Sequence, residues 1–245
     1  MKIIPVLDIK GSKVVRGLAG RRDEYAPLRK TVLLAPSEAC EPTLLLRAFE
    51  EIFGFKEFYV ADIDSIEGRE SNLNVLRSLR DVTDAKILLD AGIRTKADFE
   101  AIPNGFTAVI ASETLQNHAL ISDLVKNHGS EVVWFSLDLK KGNLLAPKNT
   151  NLPSLPLEAA TIAAQSGIAG LIAIELDRVG GKTGPNFSLV QNLANNLSIP
   201  VYWGGGVRHL QDLLELQSLN CSGCLVASAL HSGVITAEEL LNINK

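Results

Sequence analysis

Two aspartates stand where a side chain can do acid–base work. Asp8 ends the apolar run Ile3-Ile4-Pro5-Val6-Leu7, and Asp138 ends Val132-Val133-Trp134-Phe135-Ser136-Leu137. A third apolar stretch, Val201-Tyr202-Trp203, stops at Gly204-Gly205-Gly206, and a fourth closes at Val226 with small Ala227 and Ser228 after it. Glycines at a strand end expose backbone N–H groups that can hold an anion such as phosphate. A matched pair of carboxylates beside such an anchor suits proton transfer on a phosphorylated small molecule. Each feature also has a purely structural reading: an aspartate can cap a loop or pair with Lys10 or Lys140, and three glycines can make a tight turn.

These residues meet only if the strands that carry them end side by side. Apolar runs at 3–8, 58–61, 87–89, 107–110, 132–137, 170–174, 199–203 and 223–226 alternate with segments of helical spacing near 43–54, 73–79, from 96, 119–126, 157–165, 187–197, after His209 and after Thr236. Eight strand-then-helix units predict a parallel sheet buried on both faces and closed on itself, a (β/α)8 TIM barrel, as one domain over residues 1–245. No Gly-x-Gly-x-x-Gly follows the first strand, so an open dinucleotide-binding sheet is disfavoured. In such barrels catalytic side chains sit at the C-terminal strand ends, and phosphate commonly binds after strands seven and eight.

The chain also repeats itself. Asp90-Ala91-Gly92-Ile93-Arg94 is answered by Gly204-Gly205-Gly206-Val207-Arg208, Ile110-Ala111-Ser112 by Val226-Ala227-Ser228, Asn72-Leu73 by Asn186-Phe187, and Val6-Leu7-Asp8-Ile9-Lys10 by Ser136-Leu137-Asp138-Leu139-Lys140. Four matches in one order predict two (β/α)4 halves, with Asp8 and Asp138 facing each other across the mouth. The halves differ at one point, because Asp90 and Ala91 replace two glycines of the anion loop. A carboxylate beside a phosphate is repulsive unless a cation such as Arg94 intervenes.

Over 245 residues, hydrophobic content is 46%, charged content 21% and net charge -4, ordinary values for a globular chain with a large core. The charge balance gives no general attraction to nucleic acid or to anionic lipid, so a small-molecule partner is expected. The opening Met1-Lys2-Ile3-Ile4-Pro5 is too short an apolar run for a signal sequence, and nothing approaches the ~20 apolar residues of a membrane span. A cytoplasmic location is the expectation. Cys40, Cys221 and Cys224 lack a second pair to make a zinc site and read as structural, so no metal is expected.

Ile4-Pro5-Val6-Leu7-Asp8, Val14-Val15-Arg16-Gly17, Val60-Ala61-Asp62-Ile63-Asp64 with Gly68-Arg69 and Asn72, Gly92-Ile93-Arg94, Leu137-Asp138, Gly184-Pro185-Asn186 and Gly204-Gly205-Gly206-Val207 together resemble the histidine-biosynthesis barrel superfamily. That superfamily contains the phosphoribosylformimino-aminoimidazole-carboxamide ribotide isomerase and the imidazole-glycerol-phosphate synthase cyclase subunit. The isomerase is the nearer of the two at the second strand. The resemblance covers the whole chain and implies a ribulose-phosphate-binding barrel and an aminoaldose-to-aminoketose (Amadori) rearrangement that needs no cofactor. It implies Asp8 as base and Asp138 as acid, or the reverse. Substrate and phosphate contacts are implied at Gly204, Gly205, Gly206, Ala227, Ser228, Gly92, Arg94, Ser112, Arg16, Asp62, Glu175 and Asp177.

Departures from the pattern point to a diverged branch and an altered ligand. Ile174 stands where the isomerases place a threonine, Ala111 and Ala227 replace glycines, and Asp177-Arg178 and Lys182-x-Gly184 look more like the cyclase. Trp203 replaces a small residue and is expected to fill ligand space. Arg21 and Arg22 sit on a long first loop that can close over a substrate, or simply form a solvated basic pair. His209 can contact an anion or start a helix, and His118, His128 and His231 read as surface residues. Three readings stay open. They are an isomerase acting on a different, singly phosphorylated substrate, a cyclase or lyase needing an ammonia-supplying partner protein, and a phosphate-ligand-binding barrel without catalysis.

Overall fold

In the computed structural model, which describes residues 1–243, eight parallel strands close into a barrel. They are β1 (Lys2–Lys10), β2 (Glu57–Asp62), β3 (Lys86–Asp90), β4 (Phe106–Ala111), β5 (Val133–Lys140), β6 (Gly170–Glu175), β7 (Val201–Gly204) and β8 (Gly223–Val226). Each pairs with its neighbour in sequence, and β8 pairs back onto β1 with Lys2 opposite Gly223. Helices α1 (Pro42–Phe53), α2 (Leu73–Val82), α3 (Lys96–Glu100), α4 (Ala119–His128), α5 (Pro156–Gln165), α6 (Phe187–Asn196), α7 (Leu210–Ser218) and α8 (Ala237–Ile243) follow the strands in turn. No helix among the described residues is long and apolar enough to cross a membrane.

The alternation of side chains along each strand divides the core in two. One set, including Leu7, Val60, Leu89, Phe135 and Trp203, packs between sheet and helices. The other, including Ile4, Tyr59, Leu88, Trp134, Ile172 and Tyr202, fills the barrel interior. Strands covered on both faces read as continuous apolar runs, and every residue of β2 and β6 is buried. The floor is sealed by Trp134 and Tyr202, whose ring centroids lie 4.5 Å apart. Gly170 and Gly223 leave room for these rings: a Cβ at either position would come within 2.7 Å of them. Trp203 is fully buried on the outer side, its Nε1 donating to Gly205 O at 2.8 Å. It therefore takes no space from a ligand, contrary to the expectation from sequence.

The two halves share more than their strands. β1 and β5 both run two residues beyond their aspartates and turn back as hairpins, pairing with Lys13–Arg16 and Asn143–Leu144. The turns use left-handed residues, Gly11 and Ser12 in one and Lys141 and Gly142 in the other, as two-residue hairpins require. Asp64 accepts from Gly11 N–H at 2.6 Å, and Asp177 accepts from Lys141 N–H at 2.8 Å. The acidic pairs Asp62-x-Asp64 and Glu175-x-Asp177 thus occupy matching places after β2 and β6.

Candidate active site

The parity of β1 and β5 turns Asp8 and Asp138 inward at the C-terminal mouth. Three strands separate them either way around the barrel, so they line one cavity from opposite sides. Asp8 is partly exposed to that cavity. It is held close by Gly17, where a Cβ would lie 2.9 Å from Asp8 Oδ2. Burial pushes the Asp8 carboxyl up to about 6, against the pull of Arg22. Asp138 is buried at 2% exposure. Its Oδ1 accepts from Ser136 Oγ at 2.8 Å, and its Oδ2 from Glu113 N–H at 3.2 Å and Ser112 Oγ at 3.3 Å. Burial, then the negative charges of Glu113 and Asp90, hold its proton well above the usual carboxylate range.

On one side of this pair lies the glycine loop. Gly204, Gly205, Gly206, Ala227 and Ser228 all line the cavity. Gly205 and Gly206 adopt φ of 100° and 86°, and a Cβ on Gly206 would stand 2.4 Å from Gly184 O. Among the described residues, the N–H groups of Gly206, Ser228 and Ala229 have no protein acceptor. Arg16 lines the same end of the cavity, beside His231. His231, read from sequence as a surface residue, also lines the cavity, and burial lowers its proton affinity to about 4.

The opposite side is built from acids. Asp90, 3% exposed, accepts from Gly92 N–H at 3.0 Å and from Tyr59 Oη at 3.3 Å. Burial carries its carboxyl to about 7. Glu113 pairs with Arg22, which the first loop delivers into the cavity. Lys10 Nζ donates to Arg22 O at 2.6 Å, and Ala19 N–H donates to Val179 O at 2.8 Å, fastening that loop across the mouth. Burial works against the Arg22 charge, but Glu113 outweighs it and keeps the guanidinium protonated. The cation that answers Asp90 is therefore Arg22, where sequence had suggested Arg94.

Six of the residues expected from sequence as ligand contacts lie outside the cavity lining. Arg94 donates to the carbonyls of Gly92 and Ile66, each at 2.7 Å. Gly92 packs against Ile66, and Asp62 receives Asn72 N–H, Asn72 Nδ2 and Ser71 Oγ. Ser112 braces Asp138. Glu175 and Asp177 face away because Ile174 takes the inward place, and one residue of register reverses the face. Glu175 accepts from Gly142 N–H and pairs with Arg178, whose Nη1 donates to Gly184 O, the atom packed against Gly206. It thus positions the glycine loop through two intermediaries. Cys221 and Cys224 are buried, and burial pushes both thiols up.

The charged form of Asp90 carries a cost in the folded state. Its proton affinity is raised, so its contribution favours folding as pH falls from about 7 toward the ordinary carboxylate range and opposes it above. Replacing Asp90 by Asn is expected to raise the unfolding free energy by about 2 kcal/mol or more at pH 8 and by little near pH 4. His231 runs in the opposite direction, so the comparison is between variant and parent at each pH, by urea denaturation.

Residues 2–236 match the family described as Histidine biosynthesis protein. An uncharacterized protein of Methanocaldococcus jannaschii is 30% identical, with 99% of this chain and 98% of that protein aligned. A protein of Clostridium acetobutylicum named 1-(5-phosphoribosyl)-5-((5-phosphoribosylamino)methylideneamino) imidazole-4-carboxamide isomerase is 29% identical, with 99% of this chain and 98% of that protein covered. A protein of the same name from Methanosphaera stadtmanae is 27% identical over the full length of both.

Proposed function

The chain belongs to the histidine biosynthesis protein family, and from that premise we propose that it is an isomerase converting a phosphorylated aminoaldose to the aminoketose. The observation that carries the reading is the pair Asp8 and Asp138, set on opposite sides of one cavity, both with raised proton affinity, beside loop amides that have no protein acceptor among the described residues. Asp8, partly open to the cavity, is the base, and Asp138, buried beside the charges of Glu113 and Asp90 that favour its protonated form, is the acid. The relatives named as imidazole-4-carboxamide isomerases carry phosphoribosylamino in their names, and a ribosylamine phosphate fits the same division of labour.

The sugar phosphate docks on Gly204 to Gly206 and Ser228, with Arg16 at the rim. Asp138 protonates the ring oxygen; the nitrogen lone pair forms the C1=N bond as the C1–O bond breaks. Asp8 then takes the C2 proton, and the resulting enolamine accepts a proton at C1 from Asp8 and releases its C2 hydroxyl proton, by way of solvent, to Asp138, which gives the ketone at C2 and restores both carboxyls. C1 is reduced as C2 is oxidised, so no external electron carrier enters the balance. The test is conversion of an N-aryl ribosylamine 5-phosphate, followed by absorbance without an ammonia source. The expected kcat/KM rises as Asp8 ionises near pH 6 and falls at higher pH as Asp138 loses its proton. A pH-independent rate, or none with this substrate class, would reject the reading.

A further inference from the structure

We propose that the ligand carries a single phosphate, and that its other end is an uncharged or cationic hydrogen-bond donor received by Asp90 and Glu113. The inference rests on the isomerase reading for the phosphate's position and goes beyond it in naming the far end.

The repeat gives an internal comparison. In the second half, the N–H groups of Gly206, Ser228 and Ala229 have no protein acceptor. Their counterparts in the first half are Gly92, Ser112 and Glu113, and all three are engaged. Gly92 N–H donates to Asp90 Oδ1 at 3.0 Å, Ser112 N–H to Ser136 O at 2.8 Å, and Glu113 N–H to Asp138 Oδ2 at 3.2 Å. The chain's own atoms thus take the donors that a second phosphate would use.

Side chains complete the exchange. Asp90 stands where the second half has Gly204, and Glu113 where it has Ala229. Both carboxylates line the cavity, so an incoming phosphate would meet two acids beside a single guanidinium, Arg22, that is already paired with Glu113. Arg94 is committed to backbone carbonyls behind Gly92 and cannot reach in without abandoning them. Carboxylate oxygens are acceptors; the ligand group that suits them is an amine, amide or hydroxyl.

Calorimetric titration with three stable ligands tests this. They are N-alkylated 1-amino-1-deoxyribitol 5-phosphates, identical except that the alkyl chain ends in an ammonium, a hydroxyl or a phosphate. The ammonium and hydroxyl forms are expected to bind the parent protein at least tenfold more tightly than the phosphate-ended form. In Asp90→Gly/Glu113→Ala, which copies Gly204 and Ala229, the gap should shrink at least tenfold. Should that variant not fold, Glu113→Gln alone should narrow the gap. Equal or tighter binding of the phosphate-ended ligand by the parent would overturn the proposal. Binding of none would remove the phosphate anchor as well. The expected order without turnover of any aminoaldose would leave the ligand class standing and reject the isomerase.

Discussion

Asp138→Asn is expected to lower turnover by about 10²–10⁴-fold, the usual contribution of a positioned proton donor, while leaving phosphate affinity unchanged. The amide keeps the shape of the carboxyl; its oxygen can face Glu113 N–H while its Nδ2 donates to Ser136 Oγ, a hydroxyl that can also accept, so the wall of the cavity is preserved. It has no proton to give to a ring oxygen. The same substitution is expected to raise thermal stability, because it removes a carboxyl whose charged form is penalised by burial and by Glu113 and Asp90. A gain in stability coupled to a loss of rate separates a catalytic group from a structural one. If Asp138 merely braced the loop through Glu113 N–H, the variant would lose stability and phosphate binding together.

Gly206→Ala is expected to destabilise the fold by about 2–4 kcal/mol and to reduce phosphate affinity more than tenfold. The new Cβ would meet Gly184 O at 2.4 Å, Gly184 C at 2.6 Å and Pro185 N at 3.0 Å, all backbone, in a residue at φ 86°. No side chain can swing away to admit it, so the loop that presents the amides must shift. Gly142→Ala is the control. It shares a left-handed conformation at φ 74° but has nothing within 4 Å, and should cost only the conformational strain of about 1–2 kcal/mol. Urea unfolding and calorimetry with inorganic phosphate measure both quantities.

Much of this architecture is legible in the residues. Apolar runs stopping at Asp8, Asp138 and Gly204 mark strand ends, and the repeated fragments place those ends in two matched halves. The hairpins that extend β1 and β5 were signalled only by Gly11 and Gly142, which were not read as turns. Face assignments were harder, since pleat alternation reverses with a single residue. Trp203 lies outward because Tyr202 and Gly204 lie inward, and Glu175 lies outward because Ile174 lies inward.

The acid wall escaped the sequence for another reason. Arg22 meets Glu113 only because the long first loop folds back over the mouth and is fastened to Val179 and by Lys10. No periodicity encodes that closure. A signal was nonetheless present in the repeat: Glu113 stands opposite Ala229 as Asp90 stands opposite Gly204. Two carboxylates at positions where the other half is small mark the place where the two halves of the cavity differ.

The central claim is proton transfer between C2 and C1 of a phosphorylated aminoaldose, carried out by Asp8 and Asp138. Proton NMR of an N-aryl ribosylamine 5-phosphate incubated with the protein in deuterated water tests it most directly. The expected product is an aminoketose with deuterium at C1, formed by the parent protein and lost in Asp8→Asn and in Asp138→Asn. Loss of the C2 proton signal without aminoketose, or conversion that persists in both variants, would contradict it.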